Sequence, residues 1–363
     1  MSRSLYHSLF AVFGLFCAVT LSANAADYGL TKGTPTLKQA GPLAFGPDGI
    51  LFVGDTLSAA VYAIDTGDHA GAAGQAEVNI AGVNAKIADM IGSTVDNTVI
   101  NDMVVNPASG NIYLSVSRGR GPDAQPVLFR ANQKGDIDEV SLKDVGFAVA
   151  KFDNAPKFDE GARRNPRLSA ITDLQFNSGK LIVAGLSNEE FASKLRVLNF
   201  PFDGKEADTS IEVYHGAHGR LETQSPVRTF ITYENQVLAA YTCTPLVTIP
   251  VDDLKGEKIM GKTIAELGNR NNPLDMIVYR KGQQDYLLMS NDSRGVMKMK
   301  LSKPDIDTAD AISSRINGTA GLTYETMEQF QNVVQLDKLD SDHAIMLVAN
   351  SDNSLDLKTV ALP

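Results

Sequence analysis

One structural unit recurs along this chain at roughly 45 to 70 residues, and a period of that size admits few folds. Each copy is an alternating strand, a turn, a more apolar strand, a polar loop and a third strand. The first copy reads Pro42–Phe45, a Gly46-Pro-Asp-Gly49 turn, Ile50–Val53 and Ala60–Ile64. The second reads Asp102–Val105, Asn106–Gly110, Ile112–Val116 and Val127–Arg130, and the third Asp173–Phe176, Leu181–Ala184 and Leu195–Phe200. The remaining copies begin at Arg228, Asp275 and Phe330. Gly, Asn, Asp and Pro mark the turns because they supply a positive or preset φ, and Val, Ile, Tyr and Phe dominate the runs between them. Six units predict an all-β fold, a six-bladed β-propeller. The chain ends after three strands of the sixth unit. The ring is therefore expected to be closed by the N-terminal strand, within Tyr28–Gln39, pairing with the C-terminal blade. Short helical connectors are expected at Asn84–Met90 and Lys262–Leu267.

The N-terminus reads as an export signal. Arg3 precedes an apolar run from Leu9 to Leu21, and Ser22-Ala23-Asn24-Ala25 offers a small-x-small cleavage site. The run is shorter than the roughly 20 residues that a spanning helix needs. The expected organisation is a signal peptide over 1–25 and a single propeller domain over 26–363, in the periplasm or secreted. No later segment is apolar enough to insert in a membrane. The net charge of −10, with no basic cluster after the signal, argues against nucleic acid as a partner. Cys17 departs with the signal and leaves Cys243 as an odd thiol.

Two stretches, Gly41-Pro-Leu-Ala-Phe-Gly-Pro-Asp-Gly49 and Asn101-Asp-Met-Val-Val-Asn-Pro-Ala-Ser-Gly-Asn-Ile-Tyr113, resemble units of six-bladed propellers in the senescence-marker/gluconolactonase and NHL-repeat group. The resemblance implies the fold and leaves the chemistry open, since propellers host lactonases, lyases and binding modules. In gluconolactonase-like enzymes, positions similar to Asn101-Asp102 and Asp275 help to hold a divalent ion that polarises an ester carbonyl. This chain departs from that family before Pro42, where no acidic residue stands in the place of the metal-binding Glu.

Propeller geometry turns the repeat into a map, with the starts of the inner strands and the loops between second and third strands on one face. Three groups fall there. Asp102, Asp173 and Asp275 begin inner strands; they either share a divalent cation such as calcium or cap turns and accept backbone N–H groups. Arg118, Arg120 and Arg294, with Asn291 and Asp292, either hold an anionic ligand or neutralise those carboxylates. His215 and His218, in Tyr214-His-Gly-Ala-His-Gly-Arg-Leu-Glu222, lie in a connection beside the Cys243 loop. Together they are a donor set for zinc or copper, with Glu222 a fourth ligand or a solvated group; against that stand a chance H-x-x-H and a buried apolar cysteine.

The chain has no tryptophan, no C-x-x-C-H, no nucleophile elbow and no phosphate loop, which disfavours most redox and nucleotide enzymes. No catalytic residue is assigned. Three functions follow. One is a propeller that binds a small-molecule or protein ligand on its loop-rich face, with or without a divalent cation. The others are a metal-dependent hydrolase of the lactonase type and a zinc or copper protein built on His215, His218 and Cys243.

Overall fold

The computed structural model describes residues 28–71, 77–163 and 165–363; the export signal expected over 1–25 lies outside them. The apolar runs become strands buried on both faces. Ile50–Asp55 is buried at every position and Ala60–Asp65 at all but the last. Strands of that kind must be covered on both sides. The cover comes from neighbouring antiparallel meanders, which stand around a central channel with their first strands innermost.

Those inner strands form a closed ring. Leu43–Phe45 lies between Asp173–Asn177 and Thr98–Val105. Beyond Thr98–Val105 come Val333–Lys338, Pro273–Lys281 and Thr229–Tyr233, and then Asp173–Asn177 again. Each junction carries its own apolar core. Phe52, Val61 and Ala44 pack on Leu174, Leu181 and Val183 at one junction, and Met103, Leu114 and Phe129 on Ile345, Leu347 and Leu357 at another. The architecture is all-β and of the propeller kind. Among the described residues no helix is long and apolar enough to cross a membrane.

Ring closure differs from the expectation. Thr31–Gly33 does not reach the C-terminal sheet; it pairs with Val145–Lys151 at the edge of the first sheet. The last sheet, Val333–Lys338, His343–Ala349 and Leu355–Ala361, takes its outer strand from Asn79–Ile80. The first sheet thus receives its outer strand from the segment that follows the second meander, and the last sheet from the segment that follows the first. The physical reason lies in the side chains. Thr31 and Lys32 are exposed and bring little apolar surface, whereas Val78 and Ile80 are buried against the last sheet together with Val83 and Ile87. Spatial order consequently departs from chain order, and the first meander sits between the second and third.

The Asn84–Met90 connector is helical, as Val83–Met90. Lys262–Leu267 is not: it belongs to the Ile259–Leu267 strand, which pairs with Pro245–Pro250. Its other edge runs parallel to Glu206–His215 in the register Ile211↔Ile259 and Val213↔Gly261, fusing two meanders into one ten-stranded sheet. On the opposite edge Gly261 lies against the Pro245–Pro250 strand, where a Cβ would stand 2.5 Å from Val247 Cγ1. The parallel pairing carries His215 to the strand that holds Glu266.

The closure can be tested with two variants. Ile80→Ala, at a residue 3% exposed, is expected to cost about 2–5 kcal/mol in urea denaturation. Thr31→Ala is expected to stay within about 0.5 kcal/mol of the parent. The reverse ranking would return ring closure to the N-terminal strand.

Candidate functional site

Asp102, Asp173 and Asp275 do meet in the channel. All three line both a cavity of about 270 Å³ and a second of about 200 Å³. Their oxygens have a common occupation. Asp102 Oδ1 accepts the Met103 N–H at 2.8 Å and Oδ2 the Leu43 N–H at 2.7 Å from the adjacent inner strand. Asp173 accepts from Leu174 (2.7 Å) and, across the junction, Phe230 (2.8 Å). Asp275 accepts from Met276 (2.8 Å) and Leu336 (2.9 Å). Asp337, which the sequence reading missed, accepts from Lys338 (2.6 Å) and Val105 (2.7 Å). Each carboxylate thus clamps its own strand to the next. Asp337 escaped notice because it stands near the end of its inner strand, Val333–Lys338, whereas the expected carboxylates begin theirs.

Burial raises all four pKa values. Desolvation takes Asp173 to about 7 and Asp337 to about 6. Asp102 and Asp275 are also pushed well up, by burial first; the charges of Asp173 and Asp337 add to the rise at Asp102, and that of Asp102 to the rise at Asp275. With its amide nitrogen turned toward them, Gln335 bridges this pair, donating to Asp275 Oδ2 at 2.8 Å and Asp102 Oδ1 at 3.1 Å.

The arginines do not neutralise these aspartates. Arg118 Nη2 donates to the Gly92 carbonyl (3.3 Å), Arg120 Nε to Asp96 O (2.7 Å) and Arg294 Nη2 to Asn269 O (3.1 Å). Asn291 and Asp292 join Arg294 in bracing the 268–272 loop. Asn291 Nδ2 donates to Asn271 Oδ1 at 3.0 Å, and Asp292 accepts from the backbone and side chain of Asn272 at 2.8 and 2.7 Å. That loop in turn grips the cysteine turn, since the Cys243 N–H donates to Asn271 O (2.8 Å) and the Arg270 N–H to Cys243 Sγ (3.4 Å). Residues that the sequence placed over the channel therefore support Cys243.

His215, His218 and Cys243 also come together. Their donor atoms, one per residue, all lie within 4.8 Å of one another. His215 ends the Glu206–His215 strand and is 2% exposed, whereas His218 sits on the exposed turn into Arg220–Glu222. Cys243 occupies a turn closed by Thr244 N–H to Tyr241 O at 2.8 Å, with φ of 66°. A non-glycine residue in that left-handed region costs of order 1–3 kcal/mol and persists only where its surroundings over-determine it.

Glu222 is neither a fourth ligand nor solvated. Its side chain is 8% exposed and accepts His215 Nδ1 (3.0 Å), His218 Nδ1 (2.7 Å), Arg220 Nε (3.2 Å) and Ser225 Oγ (2.9 Å). These donors, His215 first, hold its carboxyl far below the usual range. A carboxylate at both Nδ1 atoms orients both rings, with Nε2 of each turned away from Glu222. His215 Nε2 is buried with no hydrogen-bond partner. Beneath the turn, fully buried Glu266 accepts the Gly216 N–H. A Cβ at Gly216 would stand 2.8 Å from Glu266 Oε1, so the turn requires glycine. Glu266 was hidden from the sequence reading by the helical assignment of its segment. Ile316, on an excursion from the next sheet, donates its N–H to Gly216 O at 2.9 Å.

The chain is thus an all-β protein of propeller type with a His–His–Cys cluster on its loop-bearing face. No family model matches it, and no curated protein does. Among solved structures, extracellular domains 1–2 of Drosophila Semaphorin 1b align over 92% of this chain and 87% of theirs, at 9% identity and a TM-score of 0.37. Likeness at that level carries no functional argument.

The raised carboxylates predict a pH dependence. Unfolded Asp titrates near 3.9, so between about pH 4 and 7 the folded state binds more protons than the unfolded one. Stability from these groups is full below about pH 4 and falls as pH rises through the folded values near 6 and 7. Asp173→Asn is expected to flatten that slope in denaturation midpoints taken across the window. An unchanged slope would count against the assignment.

Proposed function

We propose that this chain is an exported six-bladed β-propeller whose loop-bearing face binds one thiophilic transition-metal ion through His215, His218 and Cys243. The blade count rests on the recurring meanders, two of which share the ten-stranded sheet through their outer strands. Export rests on the sequence of the first 25 residues alone.

The convergence of three donors from two separate loops, within 4.8 Å of one another, carries the metal reading. A bound ion needs donors about 3.5 Å apart, given metal–nitrogen and metal–sulfur bonds of about 2.0–2.3 Å. Side-chain rotation of about 1 Å supplies the difference. Glu222 then plays the part of the carboxylate that orients metal-binding imidazoles. The Arg270 N–H on Cys243 Sγ holds the sulfur in place beside the two histidines. The orphaned His215 Nε2 gains a partner, which a buried ring nitrogen otherwise lacks. The channel aspartates lend less support to a cation or lactonase centre, because their oxygens already accept backbone N–H groups.

Elemental analysis of the full chain, purified without added metal, is expected to find about one equivalent of zinc or copper. Cys243→Ser and Cys243→Gly should both lose it. The glycine variant also relieves the left-handed strain, so its unmetallated fold should be at least as stable as the parent. Glu222→Gln should weaken binding about 10–100-fold. Folded variants that keep their metal would overturn the reading.

A further inference from the structure

Resting on that reading, we propose that the ion this site selects is monovalent copper, held by three ligands and open to exchange with an external thiolate. Donor count favours copper. Among the described residues the cluster holds three donors. Of the carboxylates beside it, Glu222 takes four side-chain donors, and Glu266, with one oxygen on the Gly216 N–H and the other buried without a partner, is not among the three donors that converge. A structural zinc site is closed by four protein ligands. A d¹⁰ monovalent copper ion has no ligand-field demand for a fourth, and soft thiolate with imidazole suits it.

The second step is exposure. His215 is sealed beneath the turn, at 2% exposed, while the His218 side chain is 41% exposed and Cys243 is half-buried. An incoming ligand thus has one side from which to approach, with His218 the first donor it meets. Exchange there conserves charge and oxidation state: a new Cu–S bond forms to the incoming thiolate as the Cu–N bond to His218 breaks, and copper stays Cu(I). His215 and Cys243 keep the ion in place meanwhile, each pinned by its neighbours.

The third step is rigidity. The Cys243 turn is fastened on both sides by the 268–272 loop, and the histidine turn by Glu266 and Ile316. Such a frame resists recruiting a distant side chain to complete a tetrahedron. A fourth ligand for zinc would be water, and a zinc ion so held is weakly retained against a chelator.

The test titrates the full chain anaerobically with Cu(I) against bicinchoninate and, separately, with Zn(II) against 4-(2-pyridylazo)resorcinol. One equivalent of Cu(I) should be retained while zinc is surrendered. His218→Ala should release Cu(I) to the chelator at least 10-fold more readily while leaving the circular dichroism unchanged, and Cys243→Gly should retain none. Zinc held as tightly as copper or tighter, still lost on Cys243→Gly, would overturn the copper assignment and leave the metal site standing. Failure to retain either ion would remove both. Equal retention by His218→Ala and the parent would overturn the three-ligand exchange site.

Discussion

Carboxylate-to-backbone clamps across the central channel set the frame on which everything else stands. Each inner strand would otherwise present unpaired N–H groups to a polar cavity, and the sheets share no continuous ladder there. Asp102, Asp173, Asp275 and Asp337 accept one N–H from their own strand and one from the next. Accepting two N–H groups satisfies donors that cost of order 1–3 kcal/mol each when left buried and unpaired. At four of the six junctions the clamps fix the height of one meander against the next, the third–fourth junction among them, so loops at the ends of those sheets face one another in a defined register. Apolar cores between the meanders supply cohesion, and the clamps supply position.

The candidate metal site depends on that register at one junction in particular. His215 and Cys243 belong to neighbouring meanders, and the parallel pairing of Glu206–His215 with Ile259–Leu267 joins the two at their outer edges. Glu266 and the 268–272 loop extend from that shared edge, one beneath the histidine turn and the other against the cysteine turn. Strain at Cys243, with φ of 66°, is sustained by this two-sided grip. A left-handed cysteine facing two imidazoles is the kind of outlier that argues for use rather than accident.

The strands and their turns were legible in the sequence because period, turn chemistry and β-propensity agreed, and each inner strand was placed within a few residues. Ring closure was not. It turns on which of two short segments buries more apolar surface, and Asn79–Ile80 follows a polar stretch that hides it. Lys262–Leu267 carries residues compatible with a helix, and only its pairing on both edges decides for strand. At the site, the spacing of His215 and His218 and the loop position of Cys243 sufficed to bring the three together. The roles of Glu222 and Glu266 did not follow, because orientation by hydrogen bonding leaves no spacing signature. That Arg294, Asn291 and Asp292 brace the 268–272 loop did not follow either: a face can be read from topology, but the direction of a side chain on that face cannot.

The proposed centre has a first coordination shell of two imidazoles and one thiolate. Copper K-edge X-ray absorption on the full chain loaded with one equivalent of Cu(I) tests it directly. Two nitrogen scatterers with imidazole multiple scattering and a single sulfur are expected. A shell without sulfur, or one dominated by carboxylate oxygen, would contradict that expectation and return attention to the channel.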